Sequence, residues 1–189
     1  MVSRVMAVKH CVDLTSEGDF NLSYRITSSI TKTTTPTEFD GWCRAHPEYQ
    51  LQHGGRCGWH ALGCAAHHAN LNLVQHLLNQ PSASKLVNLG NNFGWTPLMC
   101  AVAELRWQHT RPVSDWLEII HLLLKAGADP NLATSCWCGD SNHGDTPAGV
   151  TPLWMLRHAT VSAAVKRSDD ELLPVVNLLL AHGALDVVL

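Results

Sequence analysis

Gly94-Trp95-Thr96-Pro97-Leu98-Met99-Cys100-Ala101 decides the fold, because the stretch occurs three times. An earlier copy reads Gly58-Trp59-His60-Ala61-Leu62-Gly63-Cys64-Ala65, and a later one Gly149-Val150-Thr151-Pro152-Leu153-Trp154-Met155-Leu156. Each copy is followed by a second apolar signature: Leu73-Val74-Gln75-His76-Leu77-Leu78, then Ile119-Ile120-His121-Leu122-Leu123-Leu124, then Val175-Val176-Asn177-Leu178-Leu179-Leu180. Two signatures recurring in fixed order mark a repeat architecture of three units.

Elementary chemistry assigns helices to both signatures. Thr96 and Thr151 suit an N-cap, because their hydroxyls accept from backbone N–H groups that a first turn leaves without partners, and Pro97 and Pro152 fit the turn that follows. Ile119, Ile120, Leu123 and Leu124 form the apolar stripe of the second helix, and Gly127 supplies the left-handed residue that ends it. Ala65 and Ala101 are small enough for neighbouring helices to approach.

On these motifs the sequence resembles the ankyrin-repeat family. The Gly-x-Thr-Pro-Leu start is complete at Gly94 and Gly149, while Lys125-Ala126-Gly127-Ala128-Asp129-Pro130-Asn131 and Ala181-His182-Gly183-Ala184 are similar to the family's helix endings. The resemblance implies a mainly α solenoid over residues 56–189, with repeats at 56–91, 92–147 and 148–189. It implies protein binding through a concave face, with Arg56, Cys57, Trp59, Asn92, Phe93, Trp95, Ala148 and Val150 toward the partner. Aromatic side chains beside an arginine favour a binding hot spot, the alternative being that Trp59 and Trp95 pack on each other. No catalytic residue, cofactor, nucleic acid or membrane contact is implied, and the expected state is a cytoplasmic monomer. Divergent repeats with irregular inserts also resemble effectors that intracellular bacteria inject into host cells.

Spacing departs from the family. Gly58 to Gly94 is 36 residues and Gly94 to Gly149 is 55, against a usual ~33. One surplus falls between the helices of the second unit, through Arg106 to Pro112, and is matched in the third through Ala163 to Arg167. The other falls between Leu132 and Ala148. Ser114-Asp115 and the capping box Ser168-Asp169-Asp170-Glu171 place early starts for both following helices, so two lengthened helical hairpins are expected side by side.

Ahead of the repeats, Val5, Ala7, Leu22, Tyr24 and Ile26 alternate around the turn-like Thr15 to Asp19, which predicts a β-hairpin and linker over 1–35. Thr27 to Thr37 holds eight hydroxyl residues in eleven and reads as a linker or loose edge. Within 36–55, Phe39, Trp42 and Cys43 share one face of a short capping helix that Pro47 ends.

Composition bounds the chemistry. The chain has 189 residues, 7 Cys, 12 His and 7 Trp, with 13 basic against 16 acidic side chains. That balance gives nucleic acid no electrostatic support. No apolar run reaches bilayer length, since Leu122 to Leu124 is bounded by His121 and Lys125. An odd cysteine count without a visible secretory segment argues for reduced thiols. Two chemical alternatives stay open. Cys136, Cys138 and His143, with Asp140 or Asp145, could ligate zinc, though a Cys-x-Cys pair is tighter than structural zinc spacing. Gln52 and Cys57 are similar to the start of papain-like and Josephin-type cysteine peptidases, but no orienting base follows, and the octet recurs at Gly94 with Phe93 in place of Cys57.

Overall fold

The computed structural model describes residues 17–52, 54–55, 58–107, 111–135, 138–140, 144–158 and 167–187. Helices in order are α1 (Glu17–Ser29), α2 (Pro36–Ala45), α3 (Ala61–His67), α4 (Leu71–Leu78), the short α5 (Ala83–Leu86), α6 (Pro97–Trp107), α7 (Ser114–Lys125), α8 (Pro152–His158) and α9 (Asp169–Ala181). Strands β1 (Cys138–Asp140) and β2 (Gly144–Thr146) pair antiparallel between α7 and α8, Cys138 opposite Thr146. Two rows result. α3, α6 and α8 pack in sequence as first helices, and α4, α7 and α9 as second helices, each pair closed by its own first-to-second contact. The three-unit solenoid is thus present.

The caps are those the repeat implies. Thr96 Oγ1 accepts from Met99 N at 3.3 Å and Thr151 Oγ1 from Trp154 N at 3.3 Å. In the first unit His60 substitutes an imidazole: Nδ1 accepts from Gly63 N at 3.4 Å while Nε2–H donates to Leu89 O at 2.7 Å. The ring is 1% exposed, and burial pushes its pKa down to about 4, so it stays neutral.

α7 and α9 close on the same six-residue wrap. Ala128 N donates to Leu123 O and Ala184 N to Leu179 O, around Gly127 (φ 93°) and Gly183 (φ 80°). The end of α3 closes alike, Asn70 N to Ala65 O, but its left-handed residue is Ala69 at φ 53°. An L-residue pays for that conformation through the crowding of its Cβ.

The N-terminal expectation is overturned. Leu22, Tyr24 and Ile26 lie on helix α1, not on a strand, and Glu17 starts that helix inside the supposed turn; residues 1–16 lie outside the described residues. The physical reason is that Ser23 and Thr27 are buried with Ile26 and Ile30, so the buried face has helical spacing once small hydroxyl residues are counted as interior. Thr27 Oγ1 donates to Ser23 O at 2.7 Å, and Ser29 Oγ to Arg25 O at 2.8 Å, absorbing the hydroxyls into the helix itself. The Thr-rich stretch is likewise no loose linker. Asn70 Nδ2 donates to both Thr31 O and Thr34 O at 2.7 Å, and Thr34 is buried.

α2 is the expected capping helix, with Pro36 in its first turn and a Thr35–Glu38 capping box. Phe39 is buried, and Trp42 and Cys43 pack against the core. α1 packs on α3 and α2 on α4, so the pair occupies the place of a preceding repeat. His76 Nε2, 2.8 Å from Asp40 Oδ1, joins α4 to α2.

Candidate functional site

Each unit begins with a finger, a tight main-chain turn ahead of its first helix. In the first, Gly58 N donates to Gly55 O and Gly55 N to Trp59 O; in the second, Gly94 N donates to Asn91 O and Asn91 N to Trp95 O. In the third the same two bonds join Gly149 N to Thr134 O and Thr134 N to Val150 O. The side chains repeat this equivalence: Asn91 Oδ1 accepts from Trp95 N at 3.0 Å, and Thr134 Oγ1 from Val150 N at 3.0 Å. The third finger therefore keeps its base while carrying residues 135–148 where the second carries only 92 and 93. β1 and β2 are the ribbon built from that surplus.

Gly94 is required at its place. Its φ is +80°, and a Cβ there would stand 2.6 Å from Ser135 N, the group that donates to Phe93 O at 2.9 Å. Successive fingers thus lie close enough to hydrogen-bond.

Behind the fingers lies a second apolar cluster, separate from the core between the helix rows. It contains Trp95, Met99, Cys100, Ala103, Val150 and Met155, with Trp59, Phe93, Trp107 and Trp154 partly buried against it. It contains finger and first-helix residues only, so it occupies the side of the first helices that α4, α7 and α9 leave uncovered. Met99, Ala103 and Trp107 form its stripe on α6, four residues apart. Trp95 stacks on Trp107 with ring centroids 6.2 Å apart and planes 16° from parallel. Trp59 meets His67 edge-on at 5.5 Å, and Trp154 leans on His158 at 5.2 Å.

The expected partner-facing residues divide accordingly. Asn92 and Ala148 are exposed, and Trp59 and Phe93 are half-buried at the surface of the cluster. Trp95 is 2% exposed and Val150 0%, so these two lie beneath the surface and hold the finger bases. Arg56 and Cys57 lie outside the described residues, as do Cys136 and His143, while Cys138 sits in β1. Among the described residues no group of His, Cys, Asp and Glu is placed to hold a metal ion. Trp107 and Trp154 join this cluster without being among the expected partner-facing residues. A signal was present: aligning the octets sets Gly63, Met99 and Trp154 in one column, where side-chain volume grows along the stack.

Charge is concentrated at the far ends of the first helices. Arg111 Nη1 donates to His68 O, at the end of α3, at 3.1 Å, and its guanidinium lies 5.9 Å over the Trp116 ring. Arg167 Nε donates to Leu105 O, near the end of α6, at 2.8 Å, and its Nη2 reaches Arg111 O. Arg111 and Arg167 thus each reach back to the carbonyl end of the preceding unit's first helix, where the helix dipole favours a cation; the inserts expected to lengthen the two hairpins lie largely outside the described residues. His67 Nδ1 lies 3.2 Å from Glu104 Oε1 across the α3–α6 contact. Burial holds the His68 pKa below its ordinary value, the Glu104 carboxylate opposing and Arg111 reinforcing that shift.

The expected cap of α7 is shifted by one residue. Ser114 is the first helical residue and Val113 the N-cap, without a side-chain bond. At α9 the box is as expected: Ser168 Oγ accepts from Glu171 N at 3.3 Å, and Glu171 Oε2 from Ser168 N at 2.9 Å.

A family model described as ankyrin repeats, three copies, matches residues 41–134. With the two helix rows and the repeated fingers, this places the chain in the ankyrin-repeat family. Helices α8 and α9 lie beyond the matched residues and repeat the same geometry. No curated protein matches the chain. Ankyrin repeats are in general protein-binding modules rather than enzymes, and no helix among the described residues is long and apolar enough to cross a membrane.

Proposed function

We propose that the chain binds a partner protein on the face made by its fingers and first helices, the concave face of an ankyrin stack, without catalysis of its own. The observation that carries this reading is the second apolar cluster, which leaves Trp59, Phe93, Trp107 and Trp154 partly exposed beside Asn92 and Ala148. Large rigid aromatics bury area on binding at small entropic cost. The β1–β2 ribbon stands at the edge of that face as an added contact. Units at 56–91, 92–147 and 148–189 contribute one finger each, and the α1–α2 pair closes the first.

The test uses immobilised full chain and two variants, Phe93→Ala with Trp154→Ala, and Leu173→Glu with Leu180→Glu on the opposite row. Proteins retained by the wild type and the α9 variant but lost with the finger-face variant, at equal helical circular dichroism, support the reading. Equal retention by all three overturns it. An effector acting in the host cytoplasm is the finer setting that the irregular inserts favour, and a translocation assay on the intact chain decides it.

A further inference from the structure

The three second helices carry one apolar stripe each, at equivalent positions: Leu71, Val74 and Leu78 on α4, Leu117, Ile120 and Leu124 on α7, Leu173, Val176 and Leu180 on α9. α7 packs along α4 and α9 along α7, so the first two stripes are covered by the unit that follows. Ile120 is accordingly 0% exposed and Leu124 4%. On α9 the middle of the stripe is buried, Val176 at 8%, while its two outer residues are open, Leu173 at 51% and Leu180 at 46%. The first-helix row ends differently. Arg157 and His158, exposed on α8, both pair with Asp186 of the tail, at 2.8 and 3.2 Å. The outer face of the third unit is therefore charged over α8 and apolar over α9.

We propose that a second copy of this chain covers the α9 stripe, pairing α9 antiparallel with its counterpart about a two-fold axis. Three observations select this occupant. The stripe continues the interface by which α4 meets α7 and α7 meets α9, so its geometry suits another second helix of this type. It is also self-complementary under a two-fold. Leu173 and Leu180 are seven residues, about 10 Å, apart along the helix, and their midpoint falls between Val176 and Asn177. An axis there lays each Leu173 on the partner's Leu180 and brings the two exposed Asn177 amides together, each able to donate and accept. A polar Asn in such a seam fixes register and orientation. Charge selects the antiparallel sense: Asp169, Asp170 and Glu171 crowd the first turn of α9, and a parallel pair would set six carboxylates side by side, whereas the antiparallel pair sends them to opposite ends.

One helix face is a small interface, so association is concentration-dependent. Light scattering on the full chain from about 1 µM to about 1 mM, the span of weak association, should show the mass rise from 20.7 kDa toward twice that value. Leu173→Glu with Leu180→Glu should hold it at 20.7 kDa throughout, with unchanged helical circular dichroism. Under mild oxidation Asn177→Cys should form an interchain disulfide in high yield, whereas His121→Cys, exposed on α7, should behave as wild type. A wild-type mass fixed at 20.7 kDa overturns the proposal, as does association that survives the double glutamate variant. A monomer that unfolds on Leu173→Glu would instead show the stripe covered by the chain itself, and equally overturns it.

Discussion

Arg167, 4% exposed, donates from Nε to the main-chain carbonyl of Leu105 at 2.8 Å and so fastens the start of α9 to the end of α6. Its Nη2 reaches the carbonyl of Arg111, and its Nη1 stands 3.8 Å from Glu171. The bond joins residues 62 apart in sequence, in two successive units.

Removing that side chain leaves buried carbonyls without a donor, a loss of about 2–3 kcal/mol for bonds to a charged group. Arg167→Met should lower the urea midpoint accordingly. Arg167→Lys should recover little, because an ammonium lacks the planar fork that addresses two carbonyls at once. A lysine variant as stable as wild type would show that charge alone suffices.

Ala69 holds a left-handed conformation that Gly127 and Gly183 hold at the equivalent helix ends. Ala69→Gly should raise stability by about 1 kcal/mol, the size of the steric cost relieved. Gly127→Ala should lower it by a similar ~1 kcal/mol, through backbone conformation alone, because a Cβ at Gly127 meets nothing within 4 Å. Equilibrium denaturation of both variants checks the pair.

His60 makes stability fall in acid. Its folded pKa is pushed down to about 4 by burial while the unfolded value is 6.5, so above pH 6.5 the ring is neutral in both states and costs nothing. As pH falls from 6.5 toward 4 the unfolded chain takes up a proton that the folded chain refuses, at a final cost of about 3 kcal/mol. His60→Thr, restoring the residue type of Thr96 and Thr151, should flatten the denaturation midpoint over that window. A slope unchanged by the substitution would assign the acid loss to another group.

Cys64 and Cys100 should resist alkylation while the fold is intact. Burial pushes the Cys64 thiol up to about 12 and Cys100 well above its ordinary value, and both are walled in at 8% and 1% exposure. Iodoacetamide at pH 8, read peptide by peptide, should modify them only as fast as the stack opens, and urea below the midpoint should accelerate both together.

The repeat was legible in the sequence because each of its signals is local: a cap, a proline, a glycine and a 3.6-residue stripe lie within a dozen positions of one another. α1 was not legible, since half of its buried face is Ser23 and Thr27, whose burial depends on packing against Gly55 and α3. A Cβ on Gly55 would collide with Thr27 Oγ1, a closeness no periodicity reveals. The candidate face was half legible. Trp59 and Phe93 were read from the finger positions, whereas Trp95 was placed on the surface although Trp107 covers it from twelve residues further on. That pairing depends on the length of α6, itself part of the surplus that departs from the family spacing. The arginine clasps were invisible for the same reason, as each joins a residue of one unit to a carbonyl of another.

The base of the third finger has a consequence for how this protein can change. Two main-chain bonds between Thr134 and the Gly149-Val150 pair close the finger in the manner of its shorter neighbour, whatever lies beyond them. Beyond Ser135, whose N–H is held by Phe93 O, the length of this finger is therefore independent of the register of the stack, and the finger is a graft point. Foreign peptide placed there would be displayed at the edge of the aromatic face while the helices beneath keep their spacing, so natural variation and laboratory engineering share one permissive position.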